Sequence, residues 1–275
     1  MGTSHRHTPG VTGEPNWGKA SSAVTGISNA VDESNKLNDN PPTNMSPKAV
    51  AQRQSTLGKR ISRNYHSAVK HMISAAGGRS SVSSGTSRAI GHAGVVWAGS
   101  WTRAFQEISE QGLVSWLNSK GFHSLEGKSC HEIICIINDF IGDYFAGLDD
   151  TAAKEALSEV MALVEEKASG NAEEFDSIFN GIVKSDEIKD LLDRFFGVYI
   201  FSHLSQNFLE KIEKSKGAEV ANQTMKEIKD LILDDVQRGI DGRPAGEIDW
   251  KGDAGAQYIK DEFDRIISIL EADEN

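Results

Sequence analysis

Apolar positions recur at helical spacing along most of the chain, and that spacing predicts its elements. "RISRNYHSAVKHMISAAGG" places Ile61, Tyr65, Ala68, Val69, Met72 and Ile73 three and four residues apart, the mark of one buried helix face. Gly77 and Gly78 then end the helix, because glycine reaches the left-handed conformation at no steric cost. "RSSVSSGTSRAIGHAG" reads as a flexible joint, and a helix is predicted to resume near Val95 with Trp97, Trp101 and Phe105 inward. Leu113, Trp116 and Leu117 continue the pattern to Gly121. In "SCHEIICIINDFIGDYF", Ser129 and Glu132 fit a Ser-x-x-Glu capping box, which predicts a helix start. In "LDDTAAKEALSEVMALVEEKA", Asp149, Asp150 and Thr151 are cap candidates, and Ala153, Leu157, Val160 and Val164 form the stripe. A short helix is predicted from Ala172 to Val183. The longest, from about Asp186 to Ser215, is apolar on most sides through Leu191, Phe195, Phe196, Tyr199 and Leu204, which predicts a central position. Val220, Thr224, Ile228, Leu231, Ile232 and Val236 mark the next, and Ile259, Phe263, Ile266, Ile267 and Leu270 the last. No alternating strand pattern survives, so the predicted fold class is all-α, an irregular helical bundle.

Composition changes the picture at the front of the chain. In residues 1–50, Gly, Pro, Ser, Thr and Asn fill 27 positions, and all 11 phenylalanines come at or after Phe105. Such a segment is not expected to bury enough apolar surface to offset its chain entropy. The predicted organisation is a long disordered N-terminal leader (1–50), a basic, partly helical arm with the double-glycine joint (51–95), and an acidic all-helical domain (96–275). Charge divides similarly: residues 1–110 carry 12 basic and 6 acidic side chains, the remainder 17 and 34, for a net charge of −11. Between Asn40 and Gln106 there are nine basic residues and no acidic one. A basic segment of this kind binds nucleic acid or an acidic partner, or folds back on its own acidic body. Arg60, Arg63, Lys70, Arg79 and Arg88 are the contacts to expect in the first two cases, with residues 48–103 as the nucleic-acid-binding segment of a helical adaptor.

Candidate chemistry is sparse. "GEPNWGKA" nearly matches a phosphate loop, but it lacks a preceding strand and has Ala20 where a magnesium-binding hydroxyl belongs. "GFHSLEGKS" has one spacer residue too many. "HEIIC" puts His131 and Cys135 one helical turn apart, short of the ligand count a zinc site needs; no metal and no cofactor are expected. No nucleophile elbow or Cys/His constellation has supporting context, and no two carboxylates stand out as an acid–base pair. The expectation is a protein that is not an enzyme. Two cysteines five residues apart make no disulfide framework, and no run approaches the ~20 apolar residues needed to span a bilayer. Without an apolar signal core, a cytoplasmic location with no membrane partner is expected.

The opening "MGTSHRHTPG" lacks the Ser or Thr at position six that myristoylation requires. Loss of Met1 would expose Gly2, an unhindered amine of a class whose pKa of about 7.7–8.0 leaves a neutral, nucleophilic fraction near neutrality. The "MGTS" start, the Gly/Ser/Pro-rich leader and "NYHSAVKHMISAAGGRSSVSSGTSRAIG" resemble the QatB family of the bacterial Qat anti-phage system, as do "GFHSLEGKSCHEIICIINDFI" and "LDDTAAKEALSEVMALVEE". Members tend to carry adjacent arginines after the double glycine, where this chain has only Arg79 and Arg88. The resemblance implies a non-enzymatic component of a four-part defence operon, whose other products are a P-loop ATPase, a QueC-like enzyme and a TatD-like nuclease. It further implies that the QueC-like partner conjugates a 7-deazaguanine to Gly2, with Thr3 and Ser4 recognised beside it. The helical body would hold the ATPase or the nuclease.

Overall fold

The computed structural model describes residues 15–142, 147–168, 172–239 and 243–272. Eleven α-helices and one 3-10 turn, and no strand, occur among the described residues. The all-α expectation therefore holds. The leader does not stay unstructured as expected: α1 spans Pro15–Asp39, a 25-residue helix. Residues 1–14 lie outside the described residues.

The reason for α1 is visible in its stripe. Ala20, Ala23, Val24, Ile27, Ala30 and Val31 recur at helical spacing and are buried. Its hydroxyls bond back into the helix, Ser22 to the Gly18 carbonyl and Thr25 to the Ser21 carbonyl, so they do not pull the backbone toward turns. The partner is α2, Pro47–Ala75, which starts with Ser46 capping the Ala49 N–H and Pro47 in the first turn. The two helices run antiparallel as a hairpin, with Ser34 bonded to Gln54 and Glu33 to Arg53. A Cβ on Gly26 would stand 2.6 Å from the Asn64 amide nitrogen. Glycine in mid-helix there permits the close approach of α1 and α2.

The predicted joint after Gly78 contains a short helix, α3 (Arg79–Ser83), before α4 (His92–Gln111) and α5 (Leu113–Ser119). α6 (Cys130–Gly142) starts as read: the Ser129 N–H donates to Glu132 at 2.8 Å and the Glu132 N–H to Ser129 Oγ at 3.3 Å. α7 (Leu148–Ala168) and α8 (Phe175–Val183) follow. α9 (Glu187–Lys216) is central as predicted, packing against α1, α4, α7, α8, α10 (Ala218–Arg238) and α11 (Asp253–Glu271). Phe196 of α9 stacks on Phe263 of α11 with ring centroids 4.2 Å apart. One cluster of buried apolar side chains runs from Ala20 in α1 to Leu270 in α11, so α1 and α2 share the core of the acidic body.

Candidate functional site

The described chain begins at an anchored point. Trp17, in the first turn of α1, stacks on Phe208 of α9 at 5.1 Å, and Ser21 accepts a hydrogen bond from Lys211. Gly2, Thr3 and Ser4 lie outside the described residues. Gly2 precedes Pro15 by thirteen residues, and an extended chain of that length spans at most about 45 Å.

The basic segment is divided between its own body and solvent. Arg60 lies 4.0 Å from Glu33 of α1, which also pairs with Arg53. Arg79 grips Asp264 of α11 with two guanidinium nitrogens, and Ser83 donates to the same carboxylate at 3.1 Å. The hydrogen bond from Arg79 holds the Asp264 carboxyl below its usual range. Arg63, Lys70 and Arg88 are exposed, the first two on α2 and the third in the turn before α4. Two of the five expected contacts, Arg60 and Arg79, are thus paired with acidic side chains of the body, and the other three are exposed.

Sequence reading missed a polar knot at the start of α4. Asp149 was a cap candidate for its own helix, α7. It instead accepts from the Ala93 N–H at 2.7 Å and the Gly91 N–H at 3.4 Å, closing the N-terminus of α4. Tyr199 Oη donates to the same carboxylate, and His203 Nε2 stands 2.9 Å from it. Burial works to raise the Asp149 pKa, but His203, Tyr199 and the Ala93 N–H outweigh it and hold the carboxyl below its usual range. Burial and the Asp149 charge push the Tyr199 phenol well up. Gly91, at φ +117°, permits the turn: a Cβ there would collide with the Val82 carbonyl oxygen. Every member of the knot is engaged in joining α4, α7 and α9.

A second cluster ties α9 to α11. Lys189 donates to Asp193 at 2.8 Å and lies 3.3 Å from Glu262, a fully buried carboxylate. Arg265 bonds Asp193 at 2.7 Å and Glu262 at 2.8 Å, and Arg243 adds a further contact to Glu262. Burial and the neighbouring Glu262 raise the Asp193 pKa to about 7, whereas the Glu262 carboxyl is lowered because bonds from Asp193 and Arg265 overcome its burial. The visible signal was Lys189 and Asp193 four residues apart, either side of the apolar Leu191 and Leu192. Asp193 also lines a cleft of about 700 Å³ between α7, α9 and α10. Both basic side chains that line the cleft are paired, Arg194 with Glu159 and Lys167 with Glu187. Nothing there presents an activated nucleophile.

Among the described residues, no group of three or more His, Cys, Asp or Glu side chains is placed to hold a metal ion. Among the same residues, no helix is long and apolar enough to cross a membrane. Lys19 of "GEPNWGKA" lies within α1, and "GFHSLEGKS" lies between α5 and α6 with no strand before it, so neither has phosphate-loop architecture. No curated protein and no solved structure shows a significant match to the chain. Residues 77–270, from the double glycine through α3 to the last residues of α11, match the family described as Qat anti-phage system associated protein QatB. That span covers most of the chain, and the protein belongs to the QatB family, a component of the Qat anti-phage system.

Proposed function

We propose that this chain serves the Qat system as a protein substrate and scaffold, not as an enzyme. Gly2, after removal of Met1, is the acceptor to which a QueC-like partner conjugates a 7-deazaguanine. The neutral glycine amine attacks the activated carbonyl of the deazaguanine, an amide forms, the activating group departs with the bonding electrons, and the nitrogen's surplus proton is lost to solvent. Thr3 and Ser4 supply backbone and hydroxyl groups to the modifying enzyme. The helical body holds the P-loop ATPase or the TatD-like nuclease, in the cytoplasm. The observation that carries this reading is the placement of Gly2, within "MGTS", thirteen residues ahead of a helix anchored in the body by Trp17 and Ser21. That arrangement suits a tethered nucleophile presented to a second protein. Intact-mass and N-terminal peptide mass spectrometry on protein co-expressed with its operon neighbours tests it. The expected result is loss of Met1 and a deazaguanine adduct on Gly2; an unmodified terminus in cells with working defence overturns it.

The second reading is a nucleic-acid-binding adaptor using residues 48–103. It is favoured by α2, which exposes Lys48, Lys59, Arg63 and Lys70 and contains no acidic residue. It requires affinity that falls steeply with salt and falls again on neutralising Arg60, Arg63 and Lys70. Binding that is absent or indifferent to salt removes it.

A further inference from the structure

The segment "HEIIC" acquires in three dimensions what it lacks in one. His131 and Cys135 lie one turn apart on α6, and His131 Nε2 stands 3.7 Å from Cys135 Sγ. The other ring nitrogen, Nδ1, is 3.2 Å from Glu165 Oε2 on α7. With Nδ1–H donating to the carboxylate, Nε2 presents its lone pair to the thiol. A thiol, a base within reach of it and a third group orienting the base form the nucleophile–base–orienter arrangement. Cys135 is exposed and lines a cavity of about 240 Å³ together with Trp97, Leu157, Asp139 and Lys154. That lining offers an apolar wall, a carboxylate and an ammonium.

We propose that Cys135 is a site of reversible S-thiolation by a low-molecular-weight disulfide bearing carboxylate and ammonium groups. The thiol proton passes to His131 Nε2 and the thiolate attacks one sulfur of the disulfide. A new S–S bond forms, the old one breaks, and the departing thiolate takes its electron pair and is then protonated. Glu165 is a positioning residue that fixes the imidazole. The chain's only other cysteine, Cys130, is buried at 6% exposure on the same helix, so no second thiol of this chain is placed to resolve the adduct. The modification therefore stays until an external thiol removes it. Asp139 and Lys154 complement the charged ends of the added group. This site is independent of Gly2 and needs no operon partner.

The test uses the purified full-length chain and oxidised glutathione, followed by intact-mass and peptide mass spectrometry with time. One adduct per native chain, on Cys135, is expected, and Cys135→Ser abolishes it. His131→Gln slows adduct formation at least ~10-fold, a modest part of the ~10²–10⁴-fold that a positioned acid–base group contributes. His131 is 73% exposed, so its replacement does not threaten the fold. Glu165→Ala slows the reaction roughly several-fold, while Glu165→Gln, whose amide oxygen still accepts from Nδ1–H, retains most of the rate. A wild-type rate in both His131→Gln and Glu165→Ala overturns the proposal. So does an adduct confined to Cys130, or no adduct on the native chain.

Discussion

Asp149 sits in the first turn of α7 yet completes the N-terminus of α4, accepting from Ala93 and Gly91 while Tyr199 and His203 close round it. A carboxylate that satisfies backbone N–H groups at a helix start is stabilised by hydrogen bonding and by the helix dipole together. Asp149→Asn keeps the shape and removes the charge, so urea unfolding at pH 7 should show a loss of about 2–4 kcal/mol. The folded pKa is lowered, so this contribution is complete above the ordinary carboxyl value of about 4 and is lost as pH falls below it. The gap between wild type and variant should therefore close in acid. Asp193 runs the other way. Its folded pKa is raised to about 7, so its contribution is complete below about pH 4 and is lost as pH rises toward 7. Melting temperatures measured from pH 5 to 7.5 should decline in the wild type and flatten in Asp193→Asn. An unchanged slope would show that Asp193 does not titrate there.

At the scale of elements, α1 carries the difference between sequence and structure. The helices from α2 onward, the short α3 excepted, were legible because large apolar side chains recur at 3.6-residue spacing and caps such as Ser129–Glu132 mark starts. α1 was not, because its stripe is built mostly from alanine and valine with Ile27 among them, and its polar face is rich in serine, threonine and asparagine. Counted as composition, those residues resemble a disordered tail; placed on a helix, the small side chains let α2 approach closely at Gly26. The candidate thiol site was half legible for a similar reason. His131 and Cys135 share a helix turn, but Glu165 comes from α7, and spacing within one helix reveals nothing of its neighbour. Docking of α1 has a direct consequence. Ile27 is fully buried, so Ile27→Ala should cost about 2–4 kcal/mol by denaturant unfolding. Deleting residues 1–39 should destabilise the body and promote association, because it bares Leu57, Ile61 and Tyr65 of α2.

For the molecule as a whole, the folding of α1 into the core changes what the proposed acceptor can reach. A fifty-residue leader would place few limits on geometry. The thirteen residue steps from Gly2 to Pro15 allow at most about 45 Å from an anchor held by Trp17 against Phe208. On the proposed mechanism, the modifying enzyme must then bring its active site within that radius of the anchor. Deleting residues 5–12 keeps Gly2, Thr3 and Ser4 but leaves five residues to Pro15, cutting the reach to about 18 Å. Conjugation in co-expressing cells should then fall sharply, with the melting temperature of the body unchanged. Replacing the same eight residues with Gly and Ser should restore conjugation, because length and not side-chain identity is what the deletion removes. Wild-type conjugation in the shortened chain would show that the partner engages the first residues beside the body, and the tether would have no part in the mechanism.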